Sequence, residues 1–359
     1  MNNLFMNILK EDAHRVYNPL EEELSKYKNF IFLTISKFQG FNSSKFHNKI
    51  INRFIQIFVY LRFTKNFIQI LFLKRNKKIV VREFSTYYLF FLLPFVYLGR
   101  KRFVYVINHN IQIAYNKKGF QKFMLYLLFK ADVRFIFFES SQGKEHFVRK
   151  LNSSQEIVSP FFIPKIKALK VAKSDAFICE INNLKDQNYI IISIPGRPSK
   201  EKGSYKLINL IDKFLKNNSD KKYKFIVSNK LLNIVKSTKI NASKFICPPE
   251  DSYKYYDAFI SLSNCAIFNY DSRYYYYRHS GVILDCLSRR TAVICPDYPL
   301  LKNMVNYPVS VGLTFNNLEN LNFILENKIS HNWIETLEWE IYFRERSISK
   351  VVGSLLSKI

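Results

Sequence analysis

Apolar residues in this chain come in short runs separated by longer stretches of helical period. KNFIFLTI (28–35), KIVVRE (78–83), RFVYVINHN (102–110) and VRFIFFE (133–139) are rich in β-branched and aromatic residues and read as buried strands. Between them, 47–63, 85–98 and 119–131 carry helical patterns, and SSQGKEHFVRKL (140–151) opens with capping-type residues ahead of a further helix. The alternation restarts after residue 173. NYIIISIPGR (188–197), KYKFIVS (222–228), KFICPP (244–249), CAIFNY (265–270), TAVICP (291–296) and VSVGLTF (309–315) read as strands. KGSYKLINLIDKFLKN (202–217), DSYKYYDAFISLS (251–263) and SGVILDCLSRR (280–290) read as helices, and 331–357 as one long terminal helix.

Strands alternating with helices imply βαβ units and mostly parallel sheets. The restart predicts two α/β domains with a joint near 165–187: residues 1–172, residues 173–335, and a terminal helix over 336–359 that packs back toward the first domain. At 359 residues, 48% of them hydrophobic, the chain has the material for two cores.

Charge adds a direction to this picture. The net charge is +27, and residues 1–170 hold 29 Lys+Arg against 10 Asp+Glu (+19), leaving 26 against 18 (+8) for the remainder. A basic half attracts an anionic partner, whether nucleic acid, phosphorylated lipid or an acidic membrane face. The longest apolar stretch, FSTYYLFFLLPFVYL (84–98), contains Pro94 and falls short of the roughly 20 residues that span a bilayer, so it reads as a buried or interfacial helix. The start of the chain turns polar too soon for a secretory signal, and the expected compartment is cytoplasmic. The five cysteines lie in apolar stretches without a CxxC pair, which argues against a disulfide framework or a zinc site.

In open parallel sheets, ligands sit beyond the carboxyl ends of the strands. Three strand ends here carry chemistry. In IPGRPSKEKGS (194–204), Arg197 and Lys202 flank a helix start whose free N–H groups and dipole favour an anion. The spacing is not that of a P-loop. In RYYYYRHSGVILDCL (273–287), Ser280 is a good N-cap and Gly281 admits a ligand to the first turn, with Arg278 just ahead. Asp285 lies one turn further on an apolar face and needs a partner, for which Arg278 or Arg273 are the candidates. In VINHN (106–110), a strand ends at His109.

Taken in order, these elements resemble a retaining GT-B glycosyltransferase of family 4, over about residues 28–315. The matching motifs are PGRPSKEKG, YYYYRHSGVILDCLSRRTAVI and, more weakly, VINHN. The resemblance implies an α/β, GT-B fold of two Rossmann-like domains with parallel sheets facing across a cleft, the first on the acceptor side and the second binding the donor. It implies that Arg197 and Lys202 hold a nucleotide-sugar diphosphate, that Ser280 and Gly281 face phosphate, that Asp285 binds ribose, and that His109 lies near the donor sugar. The chain departs from the family's E-x7-E pattern: Tyr277-Arg278 stand where the first acid would be, and Asp285 is shorter than the second. Arg278 thereby becomes a phosphate-binding candidate.

The expected activity is transfer of a sugar from a UDP- or GDP-linked donor to a glycan or lipid-linked acceptor, with retention of configuration, in polysaccharide or glycoconjugate synthesis. Fixed cations and helix N–H groups stabilise the leaving diphosphate without a metal, and no DxD-like pair at a strand end offers a metal-dependent alternative. No cofactor is expected beyond the donor itself. The basic half and the aromatic helices at 47–63 and 84–98 fit peripheral binding at an anionic membrane surface. The competing reading is a non-catalytic basic protein that binds nucleic acid or membrane. Its basic residues are interspersed with core patterning rather than gathered into a recognition module, which weighs against nucleic acid.

Overall fold

The computed structural model describes residues 156–163, 174–237 and 241–358, preceded by strands at 30–33, 78–82, 103–107 and 134–138 and a few single positions. Two compact units emerge, Met1–Phe162 with Ile348–Ile359, and Ile163–Ser347.

The first unit holds β1 (Phe30–Leu33), β2 (Lys78–Arg82), β3 (Phe103–Ile107), β4 (Arg134–Phe138) and β5 (Glu156–Ser159), all parallel and in sequential order. Four of these sit inside the apolar runs. The fifth, EIVS, is too short and too polar to stand out. His109 and the helical stretch 47–63 lie outside the described residues; of 84–98, Leu93 is buried while Tyr97 and Leu98 are exposed.

In the second unit the order is α1 (Ala176–Asp186), β6 (Ile190–Ile194), α2 (Ser204–Asn217), β7 (Tyr223–Val227), α3 (Asn229–Ser237), β8 (Phe245–Ile246), α4 (Tyr253–Ser261), β9 (Cys265–Ile267), α5 (Ser272–Tyr275), α6 (Gly281–Ser288), β10 (Ala292–Pro296), α7 (Pro299–Asn306), β11 (Gly312–Phe315), α8 (Leu318–Asn327), α9 (His331–Glu335) and α10 (Trp339–Glu345). The six strands are parallel, in the order β11-β10-β9-β6-β7-β8. The chain moves outward from β6 to β8, then returns to the other side of β6 for β9. That reversal is a topological switch point, the place where doubly wound sheets bind ligands.

Both faces of this sheet are covered, so β6 and β10 are buried at every position. On one face, Ile190, Ile192, Ile194, Phe225 and Val227 pack with Leu207, Ile211 and Phe214 of α2 and Leu321 and Leu325 of α8. Periodicity places the helix α2: Leu207, Ile208, Ile211, Phe214 and Leu215 form one buried stripe. Cys265, Cys286 and Cys295 are buried as small hydrophobes, whereas Cys179 is exposed on α1, contrary to the uniformly apolar setting expected of the five.

The terminal segment corrects another expectation. Instead of one helix over 331–357, the chain makes α9, α10 and α11 (Ile348–Lys358). Trp333, Ile334, Leu337 and Trp339 pack on the core of the second unit, while α11 contacts β5 of the first. A single straight helix of that span, about 40 Å long, serves only one of these surfaces.

On the second face, α4 and α6 are tied by a buried ion pair. Arg289 Nε donates to Asp257 Oδ1 at 2.6 Å, and both side chains are about 5% exposed or less. Arg289→Met should cost about 3–5 kcal/mol, because it strands the Asp257 carboxylate. Chemical denaturation would read this as a lowered midpoint; a loss under about 1 kcal/mol would make the pair dispensable.

Candidate functional site: an anion-binding switch point

The carboxyl ends of β6 and β9 deliver two loops to the same place. After β6 the backbone turns at Gly196 with φ +95°, a conformation other residues rarely adopt. Gly196 also lacks a side chain for a second reason. A Cβ there would lie 2.7 Å from Lys202 Nζ and 4.0 Å from Val282 Cγ2. The Lys202 ammonium therefore lies against the bare Gly196 backbone, beside the first turn of α6.

The neighbouring glycine fixes the position of Lys202. Gly203 caps α2 in the left-handed region, φ +59°, and a Cβ there would meet the Asn269 carbonyl at 2.1 Å. Asn269 Nδ2 donates to the Gly203 carbonyl (3.3 Å), and Asp271 N donates to the Glu201 carbonyl (2.9 Å). The loops after β6 and β9 are thus stitched together by the Asn269 side-chain amide and one backbone–backbone bond.

The second loop runs through α5 to the start of α6. Ser280 is the N-cap, its Oγ accepting from Ile283 N (3.3 Å) and sharing a 2.7 Å hydrogen bond with Tyr270 Oη. The residue is buried, and its hydroxyl holds the helix start in position. The N–H groups of Gly281 and Val282, in the first turn, are of the kind a helix leaves for an anion. Just ahead, the Arg278 guanidinium stacks 4.9 Å from the Tyr275 ring, and Tyr275 in turn stacks on Tyr270 at 3.9 Å.

Burial first, and the Arg278 charge second, hold the Lys202 ammonium below its ordinary pKa; Glu201 pulls weakly the other way. Two cations are therefore held close together at a helix N-terminus. Like charges so placed repel unless an anion lies between them.

Asp285 stands apart from these cations, and its partners differ from those expected. Neither Arg278 nor Arg273 reaches it. Tyr256 Oη donates to Asp285 Oδ2 at 2.9 Å, and Arg289, one turn along α6, approaches Oδ1 at 3.7 Å. Arg273 instead pairs with Asp271, whose carboxyl it holds down at about 2. Asp285 keeps a third of its side chain exposed.

Tyr256 also lines a cavity of about 190 Å³ with Gly196, Arg197, Pro248, Ser252 and Phe259. This joins the parts. Arg197 faces the cavity, Gly196 separates it from Lys202, and Tyr256 connects it to Asp285. Sequence reasoning missed Tyr256, on α4, and Asn269, in the loop after β9, but Arg289 lies at i+4 from Asp285 and is readable as a helical pair. Of the predicted residues, the structure sets Lys202 and Arg278 at the α6 start and Arg197 in the cavity wall, with Asp285 joined to that wall through Tyr256. Among the described residues no group of three His, Cys, Asp or Glu is arranged to hold a metal.

The fold that carries this site is α/β and GT-B, with Rossmann-like domains. Particular solved structures share it across nearly the whole chain. HepE from Anabaena in complex with UDP matches at a TM-score of 0.65 and 11% identity, covering 99% of each chain. A UDP-forming α,α-trehalose-phosphate synthase from Burkholderia xenovorans matches at 0.59 and 11% identity, covering 88% of this chain and 80% of its own. An E. coli structure described as trehalose-6-phosphate bound with UDP-2-fluoro glucose matches at 0.60 and 10% identity, covering 99% and 95%. No protein-family model matches the sequence, and no curated protein matches it significantly.

An anion that binds here restores the charge that burial and Arg278 disfavour on Lys202, so it raises the lysine's pKa. Affinity for inorganic pyrophosphate should hold steady below the free-state pKa and fall as pH rises through it, with proton uptake on binding in that window. Lys202→Arg, charged throughout, should flatten the profile. Calorimetric titration from about pH 7 to about pH 10 reads both; parallel profiles for the two proteins would remove Lys202 from the anion site.

Proposed function

We propose that this protein is a glycosyltransferase of the family 4 kind that moves a sugar from a UDP- or GDP-linked donor to a glycan or lipid-linked acceptor. The observation that carries the reading is the meeting of Gly196, Lys202, Arg278 and the first turn of α6 at the switch point, beside a cavity whose wall residue Tyr256 bonds Asp285. That order matches the parts of a nucleotide sugar. The nucleoside occupies the cavity, its ribose hydroxyls bond Asp285, and the diphosphate lies across the α6 start between Arg197 and Lys202. Residues 173–335 then bind the donor and residues 1–172 take the acceptor side. The UDP and UDP-sugar complexes among proteins of the same fold support the donor class.

Bond cleavage between sugar and diphosphate leaves growing charge on the β-phosphate. Lys202, Arg197 and the α6 N–H groups are fixed before the reaction and aimed at that charge, so they stabilise the transition state more than the ground state. The reading needs no metal, and retention of configuration needs no nucleophile from the protein.

Replacing Arg197 and Lys202 together with Ala should lower turnover of the donor by at least about 100-fold, as expected for removed oxyanion-stabilising groups, with an unchanged circular dichroism spectrum. Donor hydrolysis or transfer, followed by nucleoside diphosphate release, measures it. Retained activity would sink the site assignment. The basic first half, +19 by count, accounts for a peripheral role at an anionic membrane face. Flotation with vesicles containing phosphatidylserine should carry the protein at low salt and release it at high salt; equal recovery with neutral vesicles would dismiss the membrane role.

A further inference from the structure

The arginines of the second unit divide into two groups. Arg273 pairs with Asp271, Arg289 with Asp257 and Asp285, Arg290 with Glu340, and Arg344 with Glu345. Arg346 donates to the carbonyls of Tyr307 and Asn303, each at 2.7 Å. Arg197 and Arg278 have no carboxylate partner among the described residues, and both belong to the switch point. Arg278 goes further. Its Nε is enclosed and meets no acceptor among the described residues, while its plane is fixed by the Tyr275 ring. A buried N–H left without a partner in a native site calls for an explanation, and an absent ligand supplies one.

Position along α6 tells which part of a ligand reaches it. In the reading above, Asp285 and Tyr256 mark the nucleoside end and Gly281 and Val282 the diphosphate, and Arg278 lies ahead of the helix N-cap. A nucleotide sugar laid in this direction brings its hexose to Arg278. The diphosphate carries two negative charges, which Arg197, Lys202 and the helix N-terminus already face. Among the described residues, the exposed Glu201 pulls on Lys202 less than Arg278 pushes, so the α6 start stays cationic. Neutral hydroxyls gain little from a rigid guanidinium, whereas a carboxylate matches its fork.

We infer that the donor sugar bears a carboxylate, a nucleotide-linked uronic acid, and that Arg278 recognises it through the guanidinium held on Tyr275. This rests on the nucleotide-sugar reading above. It makes Arg278 a residue that selects the donor rather than one more ligand of the diphosphate.

The test is calorimetric, on the full chain, with two matched pairs: UDP-glucose against UDP-glucuronate, and GDP-mannose against GDP-mannuronate, with free UDP and GDP as references. One uronate should bind at least about 10-fold tighter than its neutral partner, the value of a charge-assisted hydrogen bond. Arg278→Gln should erase that advantage, weakening the uronate by at least about 10-fold more than it weakens the neutral donor or the free nucleoside diphosphate. Neutral donors that bind as tightly as the uronates in the unaltered protein would overturn the inference, with no variant needed. So would an Arg278→Gln protein that loses free diphosphate and uronate alike, because Arg278 would then be a phosphate ligand. Failure of both UDP and GDP to bind would instead overturn the nucleotide-sugar reading beneath it.

Discussion

The site depends on how β6 and β9 are held side by side where the strand order reverses. Their ladder is short, with Ile192 opposite Cys265 and Ser193 opposite Ala266. Two asparagines extend the hold beyond it. At the amino ends, Asn264 Oδ1 accepts from Ile191 N and Asn264 N donates to the Ile191 carbonyl, both at 2.8 Å. At the carboxyl ends, Asn269 reaches the Gly203 carbonyl, and Gly203 has no Cβ to obstruct its approach. Without this contact and the Asp271 N–Glu201 carbonyl bond, the two loops would carry their cations on independent tethers. With them, Lys202 and the start of α6 occupy fixed positions before any ligand arrives, which is the condition for electrostatic catalysis.

Strong positive composition is a poor guide to where an anion binds, because most of the charge is solvated or paired. The second unit selects a few cations by geometry. Arg289 is engaged in a buried pair that fixes α4 against α6, and Arg346 is fully buried on backbone carbonyls. Burial and the Arg346 charge push His279 down to about 3, so the residue before the Ser280 cap stays neutral through the physiological range. The positive field at the α6 start therefore comes from Lys202, Arg278 and the helix itself, and its strength does not vary with the protonation of His279 near neutral pH.

Much of this was legible in the chain. β-branched and aromatic runs mark most of the strands, and in the second unit β6, β9 and β10 are buried at every position; Ser280 caps α6 as its type and position require. The helices α1, α3, α7 and α8 were not anticipated. They run 8–11 residues with polar interruptions, and packing on the sheet rather than intrinsic pattern holds them. CAIFNY is strand only over Cys265–Ile267, because Asn269 and Tyr270 leave the ladder to bond Gly203 and Ser280. Long-range partners such as Tyr256 and Asp285, 29 residues apart on different helices, leave no local trace. The broken terminal helix has the same origin: its two apolar stretches serve different units.

The tyrosine run illustrates how one local pattern resolves into separate tasks. Tyr275 and Tyr277 are buried, whereas Tyr274 and Tyr276 are each 39% exposed, an alternation that four identical residues conceal. Tyr275 is held between the Tyr270 ring and the Arg278 guanidinium, so it transmits the position of the β9 end to the cation ahead of α6. A cation–π contact of this kind orients the guanidinium plane while leaving its N–H edge available, unlike a carboxylate, which would consume it. Tyr276 packs edge-on to Tyr277 and against Tyr298, whose hydroxyl donates to the Tyr270 carbonyl at 2.8 Å. The aromatic residues therefore brace a charged group without neutralising it, which is how a half-buried arginine stays ready for an anionic ligand.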